Sequence, residues 1–275
     1  MLYLVATPIG NLADITIRAL DTLKACDYIL CEDTRHSLIL LKHYDIVKPL
    51  KSYHKFNEAS QATSILDDLK AGKNICLISD AGTPGISDPG ADLVRLCVEQ
   101  NIASTAIAGP CAAIHALSCS GLPTDRFQFW GFLARKEGEL RQNLQSILSY
   151  EGTTICYESP HRLLDVLQLI HTMEATRLLV IGRELTKKFE EFVRGTAQDL
   201  LERWEDVPVK GEIVLLIAPA SQQMIEAWKE WTPQEHVQWI EKTYGISQKE
   251  AIKLVAAQRQ MPKRDLYKQI MIDNS

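Results

Sequence analysis

Residues 79–90 read SDAGTPGISDPG, with three glycines, two prolines and two aspartates in twelve positions, directly after the apolar run NICLI at 74–78. So many turn-formers end a strand without continuing it. A phosphate loop describes the stretch poorly. It has no Gly-Lys-Ser/Thr step, no Lys or Arg lies between 74 and 94, and Asp80 and Asp88 add negative charge. The dinucleotide spacing GxGxxG is also missing. A glycine loop in a neutral-to-acidic setting lets the backbone approach an uncharged nucleoside or a cation. S-adenosylmethionine offers both, an adenosine and a sulfonium. A turn-rich loop that binds nothing is the competing reading.

Other groups able to move or orient a proton are His54 in SYHKFNE, Asp33 and Arg35 in EDTR, Glu158 in YESPHR and Glu190 in TKKFEE. Each also has a plain explanation. His54 can be a loop histidine. Asp33 and Arg35 can pair beside a capping Thr34. Asn57 and Glu58 can simply open a helix. Glu158 can cap the helix after Ser159-Pro160. Arg162, in the first turn of that helix, suits a phosphate. Lys187 and Lys188 can grip phosphates or belong to a solvated charge run. Between 246 and 270 stand Lys249, Lys253, Arg259, Lys263, Arg264 and Lys268, against Glu250 and Asp265. That local excess fits RNA phosphates; a bundle that merely packs on the core is the alternative.

These residues need elements to position them. LYLVA (2–6), YILC (28–31), LKSY (50–53), ICLIS (75–79) and STAIA (104–108) each precede a loop and a helical pattern. Five such units predict a mainly parallel sheet covered by helices. A second series runs from FQFWGF (127–132) and TTICYE (153–158), through RLLVIG (177–182) and the following RELTKKFEEFVRGT, to EIVLLIA (212–218). The boundary is expected near Gly121-Leu122-Pro123. After Pro219 the apolar spacing turns helical, with Gly245 in a turn and Ser247 as a cap. The expected division is 1–121, 122–219 and 220–275. Ligands of open α/β sheets sit beyond the carboxyl ends of the strands, where TPIGN (7–11), EDTR, the glycine loop, AGPCAA (108–113), YESPHR and GRELTKK all fall.

The 275 residues carry a net charge of −5, so nucleic acid would have to meet a local patch. The seven cysteines form no CxxC pair, and no metal site is expected. No targeting leader or membrane span is read in the chain, and a cytoplasmic location with reduced thiols is expected.

With these motifs in view, the chain resembles the tetrapyrrole-methylase superfamily, the class III adenosylmethionine-dependent methyltransferases. Within it, VATPIGNLADITIRAL, CEDTRHSLILLKHY, YHKFNEAS, SDAGTPGISDPG, AGPCAAIHALSCSGLPTDRFQFWGFL, YESPHRL and RELTKKFEE are similar to the branch that modifies small-subunit ribosomal RNA. The resemblance implies two α/β domains with S-adenosylmethionine in the inter-domain cleft, a small C-terminal helical domain, and a homodimer. It implies methyl transfer to the ribose 2′-oxygen of a decoding-site cytidine, on the RNA or the small subunit. Carried over by motif, the cofactor side is Pro8, Gly82, Thr83, Pro84, Ile86 and Ser87 from the first loops. Cys111, Ala112, Tyr157 and Glu158 follow, then Glu184, Leu185, Gly211 and Glu212. The family commonly has Ser where this chain has Cys111. Tetrapyrrole-modifying relatives carry Asp where this chain has Thr83. A small-tetrapyrrole methylase is the alternative, and a non-catalytic RNA-binding module a third reading.

Overall fold

A computed structural model of the chain describes residues 1–220 and 231–272. Parts of the expected tail, 221–230 and 273–275, lie outside the described residues. The chain divides into two compact units, residues 1–115 with 184–190, and residues 116–183 with 191 onward.

The first unit holds strands β1 (Leu2–Val5), β2 (Tyr28–Cys31), β3 (Leu50–Ser52), β4 (Ile75–Ile78) and β5 (Ser104–Ile107) in the order β3-β2-β4-β1-β5, all parallel. Helices α1 (Ile17–Ala25), α2 (Thr34–His43), α3 (Glu58–Lys70) and α4 (Ala91–Glu99) cover it. Alternate strand residues face opposite ways. Tyr28, Leu30, Ile75 and Leu77 pack with Ile65 and Leu69 of α3 and Leu93 and Cys97 of α4. Ile29, Cys31, Cys76 and Ile78 pack with Ala19 and Leu23 of α1 and Leu41 of α2. Burial on both faces is why YILC and ICLI are unbroken apolar runs. Neighbouring strands β1 and β4 thus send their helices to opposite faces. The crevice between their carboxyl ends is the topological switch point of the sheet.

Helix α5 (Ala112–Ser120) carries the chain into the second unit. There β6 (Phe127–Phe132), β7 (Thr153–Glu158), β8 (Leu179–Arg183), β9 (Glu191–Gly195) and β10 (Ile213–Ile217) form a mixed sheet in the order β6-β7-β10-β8-β9. β10 runs antiparallel to both its neighbours. The segment after RLLVIG does not continue as a strand-covering helix. Residues 184–190 leave for the first unit, and 191–195 return as β9, antiparallel to β8. Arg183 and Glu191 close that hairpin with an ion pair at 2.6 Å.

Helices α6 (Glu137–Leu148), α7 (Leu163–Met173), α8 (Ala197–Arg203), α9 (Pro233–Tyr244), α10 (Gln248–Gln258) and α11 (Lys263–Ile272) complete the unit. The last three do not stand apart. Ile240, Tyr244, Val255 and Leu266 share one apolar cluster with Leu144, Leu167, Ile181 and Leu215, each such side chain contributing about 1.5–3 kcal/mol of burial. Their ends follow local chemistry. Thr232 and Glu235 form a capping box before α9, with Pro233 at its first position. Gly245 ends it in the left-handed conformation, φ +60°. Ser247 and Glu250 box the start of α10.

Candidate active site

At the switch point the glycine loop and the TPIGN loop are joined backbone to backbone. Thr7 N–H donates to Gly82 O at 2.9 Å and Gly82 N–H to Thr7 O at 3.0 Å. Thr7 Oγ1 donates to Ser79 O. Thr83 Oγ1 donates to Pro110 O, which ties in the AGPCAA loop. Gly82 sits at φ +76°, Gly85 at +81° and Ser87 at +64°, so the loop turns through left-handed positions that favour glycine. A Cβ on Gly109 would stand 2.9 Å from Ala6 Cβ. The three loops that carry Pro8, Gly82, Thr83, Pro84, Ile86, Ser87, Cys111 and Ala112 are therefore held together by the Thr7–Gly82 main-chain pair and by the Thr7 and Thr83 hydroxyls on backbone carbonyls. That surface fits an adenosine, and the carboxylates beside it fit a sulfonium.

Those carboxylates lie in the loops that follow β2 and β4. Asp33 N–H donates to Asp80 Oδ1. Burial raises Glu32, with the charge of Asp80 behind it. Asp88 is pushed up to about 6 by burial and then by Glu32, against a hydrogen bond from Ser79. Asp33, not Thr34, is the N-cap of α2: its Oδ1 accepts from Arg35 N–H and its carboxylate grips the Arg35 guanidinium at 2.7 Å. That hydrogen bonding to Arg35 holds Asp33 down at about 2.

His54 lies on the loop between β3 and α3. Its backbone N–H donates to Asn57 Oδ1, its Nδ1 accepts from Phe56 N–H, and Asn57 Nδ2 donates to Ser52 O. Asn57 therefore folds this loop with its amide.

Residues 184–190 bring five candidates, Glu184, Leu185, Lys187, Lys188 and Glu190, into the first unit. Glu184 and Thr186 hold φ of +50° and +65°. Lys187 Nζ pairs with Glu184 at 2.9 Å. Glu190 accepts from Thr186 N–H, and its Oε2 lies 3.3 Å from His115 Nε2. Leu185 is buried. Lys188 Nζ stands 5.5 Å from the Phe189 ring centroid.

In the second unit Glu158 ends β7. Its side chain is fully buried, Oε1 accepts from Ser159 N–H, and Oε2 has no hydrogen-bond partner. Burial raises it, opposed by that N–H and by Arg162. Tyr157 meets Phe129 and Phe132 edge-on, at 5.0 and 5.7 Å. A bulge between Phe129 and Gly131 re-aims Phe132. Gly211, at φ +91°, and Glu212 lead into β10.

Two cations expected on phosphate have protein partners. Arg162 donates to Leu133 O and Ala134 O and lies 3.4 Å from Glu158. Arg259 donates to His236 Nδ1, Trp231 O and Thr232 O. Lys249, Lys253, Lys263 and Arg264 are exposed.

The first unit thus gathers Pro8, the glycine loop, Cys111, Ala112, Glu184, Leu185 and Glu190, with Asp33, Arg35, His54, Asn57, Lys187 and Lys188 at the same carboxyl edge. Tyr157, Glu158, Arg162, Gly211, Glu212 and the tail cations belong to the second unit. Sequence reasoning named Asp80 and Asp88 only as negative charge on the loop, and gave no role to Thr7 or His115. The signal for His115 was its place one helical turn after Cys111, whose carbonyl its N–H meets at 3.0 Å.

A parallel sheet with three loops joined at its switch point, followed by a mixed five-stranded sheet, is an architecture found among solved methyltransferases. The sequence pattern of the Tetrapyrrole (Corrin/Porphyrin) Methylases matches residues 1–201. The chain belongs to that family of S-adenosylmethionine-dependent methyltransferases. Over nearly its whole length it is similar to proteins named Ribosomal RNA small subunit methyltransferase I. The one from Halalkalibacterium halodurans is 45% identical, covering 97% of this chain and 93% of that protein. The one from Synechocystis is also 45% identical, covering 97% and 96%. A uroporphyrin-III C-methyltransferase from Thermus thermophilus, solved with S-adenosyl homocysteine, shares the fold at a TM-score of 0.56 and 17% identity, over 79% of this chain and 96% of that one. A putative diphthine synthase from Entamoeba histolytica does so at 0.59 and 19%, over 80% and 93%.

Proposed function

We propose that the protein methylates the ribose 2′-oxygen of a decoding-site cytidine in small-subunit ribosomal RNA. The observation that carries this is similarity of 45% over 97% of the chain to the ribosomal RNA enzymes, extending past residue 201, where the family pattern ends, through the helical tail. Likeness to the uroporphyrin enzyme is confined to the fold.

When bound, the cofactor supplies an electrophilic methyl carbon on a sulfonium. The backbone of the 82–87 loop and of 111–112 orients it, and Asp80 and Asp88 favour its positive charge. Alignment of the hydroxyl with that carbon supplies much of the rate. Proton acceptance from the hydroxyl falls to Glu190, Glu158, His54 or Asp33. Among these, Glu158 has a fully buried side chain and a free Oε2. Lys187, Lys188, Lys249, Lys253, Lys263 and Arg264 meet phosphates. The enzyme works as a homodimer in the cytoplasm, where its substrate is. Among the described residues no helix is long and apolar enough to cross a membrane.

The test is transfer of labelled methyl to naked rRNA, to assembled small subunits and to a uroporphyrinogen, with alkaline mapping of the RNA product. A blocked 2′-oxygen cannot attack its own phosphate, so the modified position should resist cleavage. An alkali-labile product, or transfer to the tetrapyrrole alone, overturns the reading. Cys111→Ser should keep most activity, since no covalent step is needed. Loss of turnover in that variant with cofactor affinity intact would point to a cysteine nucleophile and base methylation.

A further inference from the structure

The first unit has its aromatic residues the wrong way round. Tyr28 and Tyr53, with hydroxyls, are buried, and Tyr3 and Tyr44 are half-buried. Phe56 and Phe189, with none, are 94% and 66% exposed. Burial normally favours the more apolar ring. Of the unit's exposed aliphatics, Val47 and Val98 lie away from the carboxyl edge of the sheet, in the loop entering β3 and the last turn of α4, while Ile86, 48% exposed, lies on the glycine loop at the edge itself. Both phenylalanines lie at that edge. Phe56 follows β3. Phe189 sits in the 184–190 segment, which abuts Gly10 after β1 and His115 in α5.

Both rings are held out on fixed turns. His54 meets Phe56 edge-on at 6.0 Å, and the Asn57 bonds lock that loop. Glu190 closes the turn that carries Phe189. Both rings directly follow a lysine, Lys55 and Lys188, and Arg35 lies 89% exposed on the neighbouring loop. Several carboxylates of this edge are engaged, Asp33 by Arg35, Asp80 by Asp33 N–H, Glu58 by Gly90 N–H at 2.8 Å and Glu190 by Thr186 N–H, and burial raises Glu32 and Asp88. What projects is therefore aromatic and cationic. That is the chemistry of a single-stranded nucleic acid platform, where rings stack on bases and cations track the backbone. β3 and β1 are three strands apart in the sheet order, roughly 14 Å at ordinary spacing. Two separated bases would be taken.

We propose that Phe56 and Phe189 are base-stacking residues that hold single-stranded substrate RNA across the carboxyl edge of the first sheet. This rests on the RNA reading above. The test compares the full chain with Phe56→Ala, Phe189→Ala, and Leu and Trp at each position. Affinity for a single-stranded oligoribonucleotide is read by fluorescence anisotropy over a salt series, cofactor affinity by calorimetry. Alanine should weaken RNA binding about 5- to 150-fold per ring, leucine should not restore it, and tryptophan should. Cofactor affinity and the salt slope should not change, because no phosphate contact is lost. RNA affinity within twofold of wild type in both alanine variants overturns the proposal, as does full rescue by leucine or a change of oligomeric state. Methyl transfer by the wild type to rRNA separates the two ideas: if it occurs while the variants bind normally, the stacking alone fails. If the wild type neither binds nor methylates RNA, the RNA reading falls and takes the stacking with it.

Discussion

Lys187 Cγ lies 2.5 Å from the point where a Cβ on Gly10 would stand, and Thr186 Oγ1 lies 3.0 Å from it. The TPIGN loop and the 184–190 segment fit only because residue 10 has no side chain, and its φ of +154° also favours glycine. Gly10→Val should push the segment off its seat at a cost of about 1–3 kcal/mol. Tryptic cleavage after Lys187 or Lys188 should speed up several-fold in the variant. An unchanged cleavage rate would show that the segment is not held there.

Gly82 is a proposed cofactor contact and also stands in a left-handed conformation. Its N–H and C=O are both bonded to Thr7, at φ +76°. Gly82→Val should abolish adenosylmethionine binding by calorimetry and also lower stability by about 1–2 kcal/mol. Thr83→Ala removes only the bond to Pro110 O and should cost about 1 kcal/mol. Cofactor affinity retained in Gly82→Val would contradict the main-chain ligand surface.

Asp88 makes stability depend on pH. Folding raises it from 3.8 to about 6, so the native state holds the proton more tightly than the unfolded chain. The resulting stabilisation is complete below pH ~4 and is lost as pH rises through about 6. Asp88→Asn removes the charge and should be more stable than wild type at pH 7, by up to about 3 kcal/mol, with little difference at pH 4. Urea denaturation at the two pH values measures it. An advantage that is larger at pH 4 would reverse the argument.

Arg259 and Lys253 share α10 or its end, yet should behave differently. Arg259→Ala removes donors to Trp231 O, Thr232 O and His236 and should destabilise the unit by about 1–3 kcal/mol, leaving the salt dependence of RNA binding alone. Lys253→Ala should leave stability within about 0.5 kcal/mol and lower the log–log salt slope by roughly 0.7–0.9. Equal slopes for wild type and Lys253→Ala would reduce the tail to packing. Point changes are needed here because Ile240, Val255 and Leu266 close the core of the second unit, and removing the tail would expose it.

The elements and the loops of the first sheet were legible because both depend on local chemistry. Unbroken apolar runs marked two-sided burial, and Gly245 with Ser247 marked the turn between α9 and α10. The return of 191–195 as an edge strand was hidden by its charged neighbours, since Glu191 pairs only with distant Arg183 and Arg203. Arg162 and Arg259 read as phosphate ligands because sequence shows a charge but not the carbonyls around it. His115 showed only its place one turn after Cys111, because its carboxylate partner, Glu190, lies 75 residues away (190 − 115).

The excursion of residues 184–190 into the first unit also sets an order of manufacture. A ribosome making this chain finishes every strand of the first sheet by Ile107, yet the piece seated against Gly10 emerges only after most of the second sheet. At roughly 5–20 residues per second, the 75 residues between His115 and Glu190 (190 − 115) leave an interval on the order of 4–15 s. Throughout it the complete parallel sheet exists without the last part of its unit. A nascent chain stalled before Glu190 carries the glycine loop but not the segment that seats against Gly10, so the first unit is completed late, by residues from beyond its own stretch of sequence.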